Sequence, residues 1–389
     1  MNKELEKKIN QIENLEILQR KKSDKSIKKS NGDIIIKNTN LDEDIKKIIK
    51  KKVKKEIKVE IKKSNKLVLV KDTDFIEYKN FTSPFLKWVG GKSQIIKQVI
   101  EKFPTQMESY HEIFLGGGSV LFGLLDLREK QIIKVNKVYA YDYNKPLIYL
   151  YKNIQTKLKK LVVELDKITK EFVGIENKNV NSKEERESNN INQALKSREA
   201  YYYWIRKQYN NMDLNNKIKI IGSAYFLFLN KTCFRGMHRI GPNGFNVPYG
   251  NYTNPAIYDE KYLEKISQLI KNVEFSDRSF EESIKNIKKG DYTYLDPPYI
   301  GEDSKSFVSY NLEGFSIQMH NKFFNMLKEL KKQNINWMMS NSDTEYVKET
   351  FKDKNDYLTE IIECRRAINA KNPDSKTNEV IITTVHKVI

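Results

Sequence analysis

Apolar and polar positions divide the chain into stretches of different character. Near the start, Ile9, Ile12, Leu15 and Leu18 recur at three-residue spacing, which predicts a short amphipathic helix. Ser23 to Asn40 is polar and contains the turn signal Asn31-Gly32. From Asp42 to Lys63 lysines interrupt Ile and Val without a fixed period, and no motif stands out. Residues 1–80 therefore read as a lysine-rich extension, partly disordered or helical; the alternative is a basic arm that adds non-specific contacts to a polyanion. The pattern changes at Ser83-Pro84. A segment running from Phe85 to Lys92 leads into an amphipathic helix predicted over 93–102. Tyr110 to Phe114 reads as a strand, runs into a glycine turn, and is followed by a helix over 120–127. Val138 to Tyr141 is the next strand and stops at Asp142. Strands alternating with helices predict a mostly parallel α/β sheet with helices on both faces.

Helical, polar sequence follows from Pro146. Phe172 to Asn192 is poor in apolar residues and rich in Asn, Glu and Ser, so it reads as a mobile loop or insertion. Residues 198–229 are aromatic-rich and helical in pattern, and Asn230 to Pro255 packs Gly, Pro, Asn and Arg around aromatics. The α/β pattern resumes near Val273. It predicts a strand over Tyr292–Leu295, a helix over 318–332, a strand over Trp337–Ser340 and late strands over Leu358–Cys364 and Val380–Val385. The expected division is a sheet domain in two parts, 81–154 and 271–389, interrupted by an inserted, mostly helical segment over 155–270.

Composition bears more on partners than on fold. With 389 residues and 39% hydrophobic positions the chain can bury a sizeable core. It has no long uncharged apolar run, and the charged start Met1-Asn2-Lys3-Glu4 lacks a signal peptide's apolar segment. A soluble intracellular protein, in the cytoplasm of a prokaryote or of a virus-infected cell, is the expectation. Cys233 and Cys364 can pair once at most, and His111, His238, His320 and His386 are scattered, so no metal is expected. The net charge of +19 favours a polyanionic partner such as nucleic acid, although roughly half of the surplus lies before Phe81.

The chemistry concentrates at Asp296-Pro297-Pro298-Tyr299, after the strand Tyr292–Leu295. An aromatic amine is a poor nucleophile because its lone pair is delocalised into the ring. Acceptors at Asp296 and at the Pro297 carbonyl could each take one amine hydrogen and draw the nitrogen towards a tetrahedral shape. Proline fixes φ and biases its predecessor to extended conformations, so covalent geometry sets the carbonyl's aim. Tyr299 offers a ring for a base to stack on. The bland alternative is an ordinary turn after a strand. Upstream, Phe114-Leu115-Gly116-Gly117-Gly118-Ser119 joins a strand to a helix, as a nucleotide-binding turn requires. No Gly-Lys-Ser/Thr follows, so it is not a phosphate loop. Asp142 ends the next strand, where an acid can take both ribose hydroxyls; an N-cap is the competing role. Trp88 and Lys92 lie four residues apart on a glycine-linked segment. The lysine can pair with a ligand carboxylate and the indole can cover a base, against the default of a buried tryptophan and a surface lysine. Together these pieces ask for adenine, ribose and a carboxylate without phosphate. S-adenosylmethionine fits and carries a methyl group that an activated amine can attack.

The order Lys-Trp-Val-Gly-Gly-Lys, Phe-Leu-Gly-Gly-Gly-Ser, Asp142, an inserted segment and then Asp-Pro-Pro-Tyr resembles the Dam-like alpha group of DNA N6-adenine methyltransferases over about residues 82–387. The close of the chain, Arg365-Arg366-Ala367-Ile368-Asn369-Ala370 before Asn378-Glu379-Val380-Ile381-Ile382, is similar too. The resemblance implies a seven-stranded, Rossmann-like sheet and site-specific methylation of adenine N6 in a short duplex target by base flipping. It implies cofactor contacts from Trp88, Lys92, Phe114, Gly116, Gly118, Asp142 and Asp296. Catalysis would fall to Asp296, Pro297, Pro298 and Tyr299. The insertion would be a DNA target-recognition domain with a β-hairpin. Within it, Asn230 to Arg239 and Gly244 to Gly250 resemble the family's DNA-reading hairpin, which makes Phe234, Arg235, Arg239, Asn246 and Tyr249 the candidate DNA contacts. Arginine suits guanine edges and an apolar side chain can wedge beside a flipped base. Arg235 stands where such relatives often carry Asn. Double-stranded DNA is the expected partner, with a cognate restriction endonuclease acting on the same site as a candidate second one, and the enzyme is expected to be a monomer in a restriction-modification or orphan role. The competing functions are cytosine-N4 or RNA adenine amine methylation, and a DNA-binding module whose active site has lapsed.

Overall fold

Seven strands of the chain pair into one sheet. The computed structural model describes residues 81–176, 186–300, 315–365 and 376–384. In chain order the strands are β1 (Gln106–Glu112), β2 (Lys134–Tyr141), β3 (Ile240–Gly241), β4 (Gly244–Phe245), β5 (Val273–Ser276), β6 (Tyr292–Leu295), β7 (Asn336–Ser342), β8 (Leu358–Arg365) and β9 (Lys376–Thr383). The large sheet has the order β5-β2-β1-β6-β7-β9-β8, and β3 pairs with β4 alone. Pairing is parallel from β5 through β7 and antiparallel at β7–β9 and β9–β8. The helices are α1 (Ile96–Ile100), α2 (Ser119–Glu129), α3 (Lys145–Gly174), α4 (Ile191–Ala194), α5 (Arg198–Asn211), α6 (Leu214–Lys217), α7 (Ile220–Thr232), α8 (Glu260–Leu269), α9 (Phe280–Ile284), α10 (Ile317–Lys332) and α11 (Glu345–Thr350). The mixed, mostly parallel α/β architecture is the one expected. The expectations for residues 1–80, including the helix at Ile9 to Leu18, and for 366–370 fall outside the described residues.

Side chains on successive strand residues point to opposite faces, and the sheet uses both. Tyr292 and Tyr294 of β6, Met338 of β7 and Ile381 of β9 join one core with α1, α2 and α3. Leu295, Trp337, Met339, Val380 and Ile382 face the other, with Phe280, Phe323, Phe324 and Val347 of α9, α10 and α11. Each fully buried side chain of this size contributes about 1.5–3 kcal/mol relative to leaving it exposed. Trp337 keeps its indole N–H satisfied by donating to the Leu327 carbonyl at 3.0 Å.

Helix starts follow local chemistry. Asn144 caps α3 by accepting from the Leu147 N–H, with Pro146 in the first turn, where a missing N–H costs nothing. Ser279 and Glu282 form a reciprocal capping box on α9. α3 bends at Lys157, which has φ −137°. The boundary suggested at 154/155 lies beside this kink, where two helical stretches meet, and the described residues belong to one compact unit. The expected loop from Phe172 to Asn192 needs correction at its start. α3 continues to Gly174, and Phe172 and Ile175 are buried in the core. Phe172 meets Phe228 edge-on at 5.2 Å between centroids, a contact with α7 that the local sequence does not announce.

Candidate active site

β1 is flanked by β2 on one side and β6 on the other, so strand order reverses there. Open α/β sheets hold their ligands in the crevice beyond the carboxyl ends at such a point. The glycine turn leaves β1 into this crevice. Gly116 and Gly118 have φ of +49° and +75°, a region that L side chains enter at a cost. A Cβ at Gly116 would lie 2.8 Å from the Trp88 indole. Asp142 faces the turn: its Oδ2 accepts from Gly116 N–H at 2.9 Å and its Oδ1 from Asn144 N–H at 2.9 Å. Asn144, not Asp142, caps α3. Burial raises the Asp142 carboxyl above its ordinary range, and the two backbone N–H groups oppose that.

Lys92 is not a surface lysine; it is 2% exposed. Its Nζ donates to the Gly90 carbonyl at 2.6 Å and lies 2.7 Å from Asp296 Oδ2 and 3.9 Å from Glu379 Oε2. The ammonium also sits 5.0 Å from the centroid of the Tyr299 ring. The Tyr299 hydroxyl donates to Glu379 Oε2 at 2.8 Å. Burial pushes the Asp296 carboxyl up, and Lys92 is the largest opposing influence. Pro297 is buried and Pro298 exposed. The Pro298 carbonyl faces His320 Nε2 at 2.9 Å, so the second proline of the motif is tied to α10. Beneath this cluster Glu112 is 2% exposed and accepts from the Tyr110 hydroxyl at 2.8 Å. Burial pushes Glu112 up to about 8; the Tyr110 hydrogen bond opposes this and Asp296 adds to it.

Trp88 stacks on His238 at 5.3 Å and on Phe226 at 6.4 Å between centroids. Burial lowers His238 to about 4, so that ring is neutral. Asn230 of α7 grips the preceding residue by its backbone. Its Oδ1 accepts from the Lys87 N–H at 3.0 Å and its Nδ2 donates to the Lys87 carbonyl at 2.7 Å. A Cβ on Gly236 would meet Lys87 Cβ at 2.2 Å. The inserted segment thus forms one wall of the segment that carries Trp88 and Lys92. Phe114 lies further along the crevice, half-buried among Phe280, Phe315 and Phe323.

The hairpin residues separate into two groups. Arg239 donates through Nε to Asn246 Oδ1 at 2.7 Å, and the Asn246 N–H returns a bond to the Arg239 carbonyl at 3.1 Å, across the β3–β4 pair. Phe234 and Ile240 are exposed, at 42% and 59%. Arg235 has φ +56°, its N–H donates to the Tyr252 hydroxyl at 2.9 Å, and its guanidinium lies 5.3 Å from the Phe234 ring. Tyr249 stands apart from these. Its ring packs on Phe172 and Tyr202, within the aromatic core of the helices rather than beside Arg239.

The structure therefore gathers Lys92, Asp296 and Tyr299 into one cluster, with Trp88, Gly116, Gly118 and Asp142 along the same crevice. Glu112, Glu379 and Asn230 were not among the expected site residues. Glu379 had a signal, since it lies in the closing Asn378-Glu379-Val380 stretch that already resembled the family.

A strand-end glycine turn, a strand-end acid and an Asp-Pro-Pro-Tyr cluster stand together on this sheet. Residues 88–369 match the family model described as D12 class N6 adenine-specific DNA methyltransferase. The chain is 34% identical over 67% of its length to the type II methyltransferase M.MjaIII of Methanocaldococcus jannaschii, covering 84% of that protein. It is 30% identical over 77% of its length to the type II methyltransferase M1.LlaDCHI of Lactococcus lactis, covering 94%. A DNA adenine methylase of Vibrio cholerae is 26% identical over 69% of the chain and is covered to 84%. The chain belongs to the D12 class N6 adenine-specific DNA methyltransferase family, and it is an enzyme that methylates adenine in DNA. Membership implies S-adenosylmethionine as methyl donor. Among the described residues no helix is long and apolar enough to cross a membrane, and no group of three or more His, Cys, Asp or Glu could hold a metal.

Proposed function

We propose that the enzyme acts on an adenine extruded from a short duplex site, and that Asp296, Pro297 and Tyr299 receive it. The carrying observation is the cluster at the end of β6, with Lys92 Nζ 2.7 Å from Asp296 and the Tyr299 hydroxyl on Glu379. A stacked, paired adenine cannot align its amine for in-line transfer, so the base must leave the duplex. It lies on the half-buried Tyr299 ring. Its amine donates to Asp296 and to the Pro297 carbonyl, for which no bond is found among the described residues, whereas the Pro298 carbonyl is committed to His320. Asp296 then stabilises the positive charge that develops on nitrogen. No enzyme nucleophile is required, in keeping with Cys233 and Cys364, which are buried thiols raised to about 12 and about 11.

The crevice fits S-adenosylmethionine, which supplies an electrophilic methyl group on a sulfonium when bound. An ammonium has three N–H donors, and Lys92 uses one on Gly90 and one on Asp296, which leaves one for a ligand carboxylate. Each Asp142 oxygen accepts one backbone N–H and retains a lone pair for a ribose hydroxyl. The bare Gly116 Cα and the Trp88 indole border the space between them. Gly116→Ala is expected to weaken cofactor binding, because alanine at φ +49° is strained by about 1–2 kcal/mol and its methyl would meet Trp88. Calorimetry with the cofactor checks this, and an unchanged affinity would take the turn out of the site.

The segment 155–270 is proposed to read the DNA, with Arg239 as the base reader. Asn246 holds its guanidinium at Nε through Oδ1 and at Nη2 through its carbonyl, at 2.7 and 3.4 Å, which preorganises the far, Nη1-bearing edge for a guanine. Arg239→Ala is expected to relax choice at one base pair, at a cost of about 1–3 kcal/mol there, while Arg235→Ala weakens all sites alike. Methylation of a library of single-base variants at fixed salt decides it; uniform loss for both variants would move readout elsewhere in the insertion. The reaction itself is tested by digesting methylated duplex to nucleosides and by methylation-sensitive sequencing of plasmid from expressing cells. N4-methylcytosine in place of N6-methyladenine would overturn the assignment of Asp296 and Tyr299 to adenine.

A further inference from the structure

Glu379 comes from β9, the antiparallel strand beyond β7, yet its carboxylate ends in the crevice with 15% of the side chain exposed. A buried carboxylate persists where its charge is used or balanced. Here one oxygen is engaged at close range by Tyr299, at 2.8 Å, while Lys92 stands at 3.9 Å, beyond hydrogen-bond distance. A phenol has a single proton to donate, and Glu379 holds that of Tyr299. The ring is attached to Asp296 only through the Pro-Pro dipeptide, and its remaining freedom is rotation about its own side-chain torsions. A hydrogen bond at the far end of the side chain restrains that freedom: it fixes where the ring points and, because a phenolic O–H prefers to lie in the ring plane, it favours one rotation of the ring about its long axis.

We propose that Glu379 is a positioning residue for methyl transfer: by holding the Tyr299 hydroxyl it fixes the plane on which the target adenine lies, and with it the approach of the amine to Asp296. The inference rests on the reading of Asp296 and Tyr299 given above. A residue acting this way lowers the rate of the chemical step when lost and leaves cofactor binding little changed, because misplacement of a reacting group by about 1 Å can cost on the order of 100-fold.

The test is a double-mutant cycle in the full-length enzyme on a duplex substrate. Single-turnover rates, KM for DNA and cofactor affinity are measured for Glu379→Ala, Tyr299→Phe and the double variant, with Glu379→Met as a near-isosteric second form should the alanine variant fold poorly. Glu379→Ala and Tyr299→Phe are each expected to slow transfer about 10- to 100-fold, and the double variant no more than the worse single one. Glu379→Gln, which keeps an acceptor for the phenol, is expected to restore most of the rate. Losses that multiply in the double variant would overturn the proposal, as would a Gln variant as slow as the Ala one, since charge near Lys92 and not the hold on Tyr299 would then matter. An unaltered enzyme that leaves no N6-methyladenine in the digest would remove the underlying reading as well. An active enzyme with independent losses removes the role of Glu379 alone.

Discussion

Asp296→Ala is expected to abolish detectable methyl transfer and to leave DNA affinity near that of the unaltered enzyme. Two effects act together. The amine loses its charged acceptor, and removal of one preorganised electrostatic partner of a transition state costs about 100- to 1,000-fold in kcat. Lys92, 2% exposed, also loses its nearest counter-charge and is left with Glu379 at 3.9 Å, which costs further free energy because a buried charge needs a partner. Asp296→Asn separates the two. It keeps an oxygen for Lys92 and for one amine hydrogen but carries no charge to stabilise the nitrogen, so it should fold like the parent and remain slow. DNA binding is read by fluorescence anisotropy and transfer by incorporation of labelled methyl. The hairpin around Arg239 and Asn246 makes no described contact with Asp296, so affinity has no reason to fall. Turnover near the parent's in either variant would end the assignment of Asp296 as the amine acceptor.

Much of this site is written locally in the chain, and what is missing from the local record is long-range. Asp296-Pro297-Pro298-Tyr299 and the Gly116–Gly118 turn are legible because backbone constraint and strand-end position come from neighbouring residues. Asp142 was legible as an acid at a strand end, and only the fold shows that Asn144 takes the capping role that competed for it. Lys92 stood out as a candidate ligand partner but not as a buried residue, since the carboxylates beside it come from the end of β6 and from β9. Asn230 and Glu379 act on partners 143 and 80 residues away in the chain, beyond the reach of any periodicity. The same holds for β1. It begins at Gln106 and not at Tyr110: of its first four residues only Met107 is buried, while Gln106 and Glu108 are exposed and Ser109 is half-buried, and so polar a start hides a strand. Phe172 was lost in a polar run for the converse reason: its partners Tyr201 and Phe228 lie on other helices.

Lys92→Met is expected to move the acid limb of the kcat/KM profile to higher pH and to weaken cofactor binding by about 1.5–3 kcal/mol, the worth of a hydrogen bond to a charged group. The direction follows from what surrounds Asp296. Burial raises its carboxyl, and Lys92 opposes this both as a nearby cation and as a hydrogen-bond donor, while Glu379 acts with burial. Without the ammonium only the Tyr299 hydroxyl still opposes, and that proton is given to Glu379 at 2.8 Å. The carboxyl therefore holds its proton to higher pH. A protonated Asp296 cannot accept from the amine as a carboxylate does, so activity appears only once the pH exceeds the raised value. Stability gives a second readout. A carboxyl whose folded-state pKa lies above its unfolded one binds its proton more tightly when folded, so its contribution is present at low pH and is lost as pH rises through the folded value. The variant should accordingly lose thermal stability, relative to the parent, on going from acid to neutral pH, where the cost of leaving Asp296 and Glu379 buried without Lys92 approaches about 3–5 kcal/mol. Methionine keeps nearly the length and the apolar stem of the lysine, so the buried position stays filled. An acid limb that stays in place, together with a pH dependence of the melting midpoint identical to the parent's, would show that Lys92 does not set the charge state of Asp296.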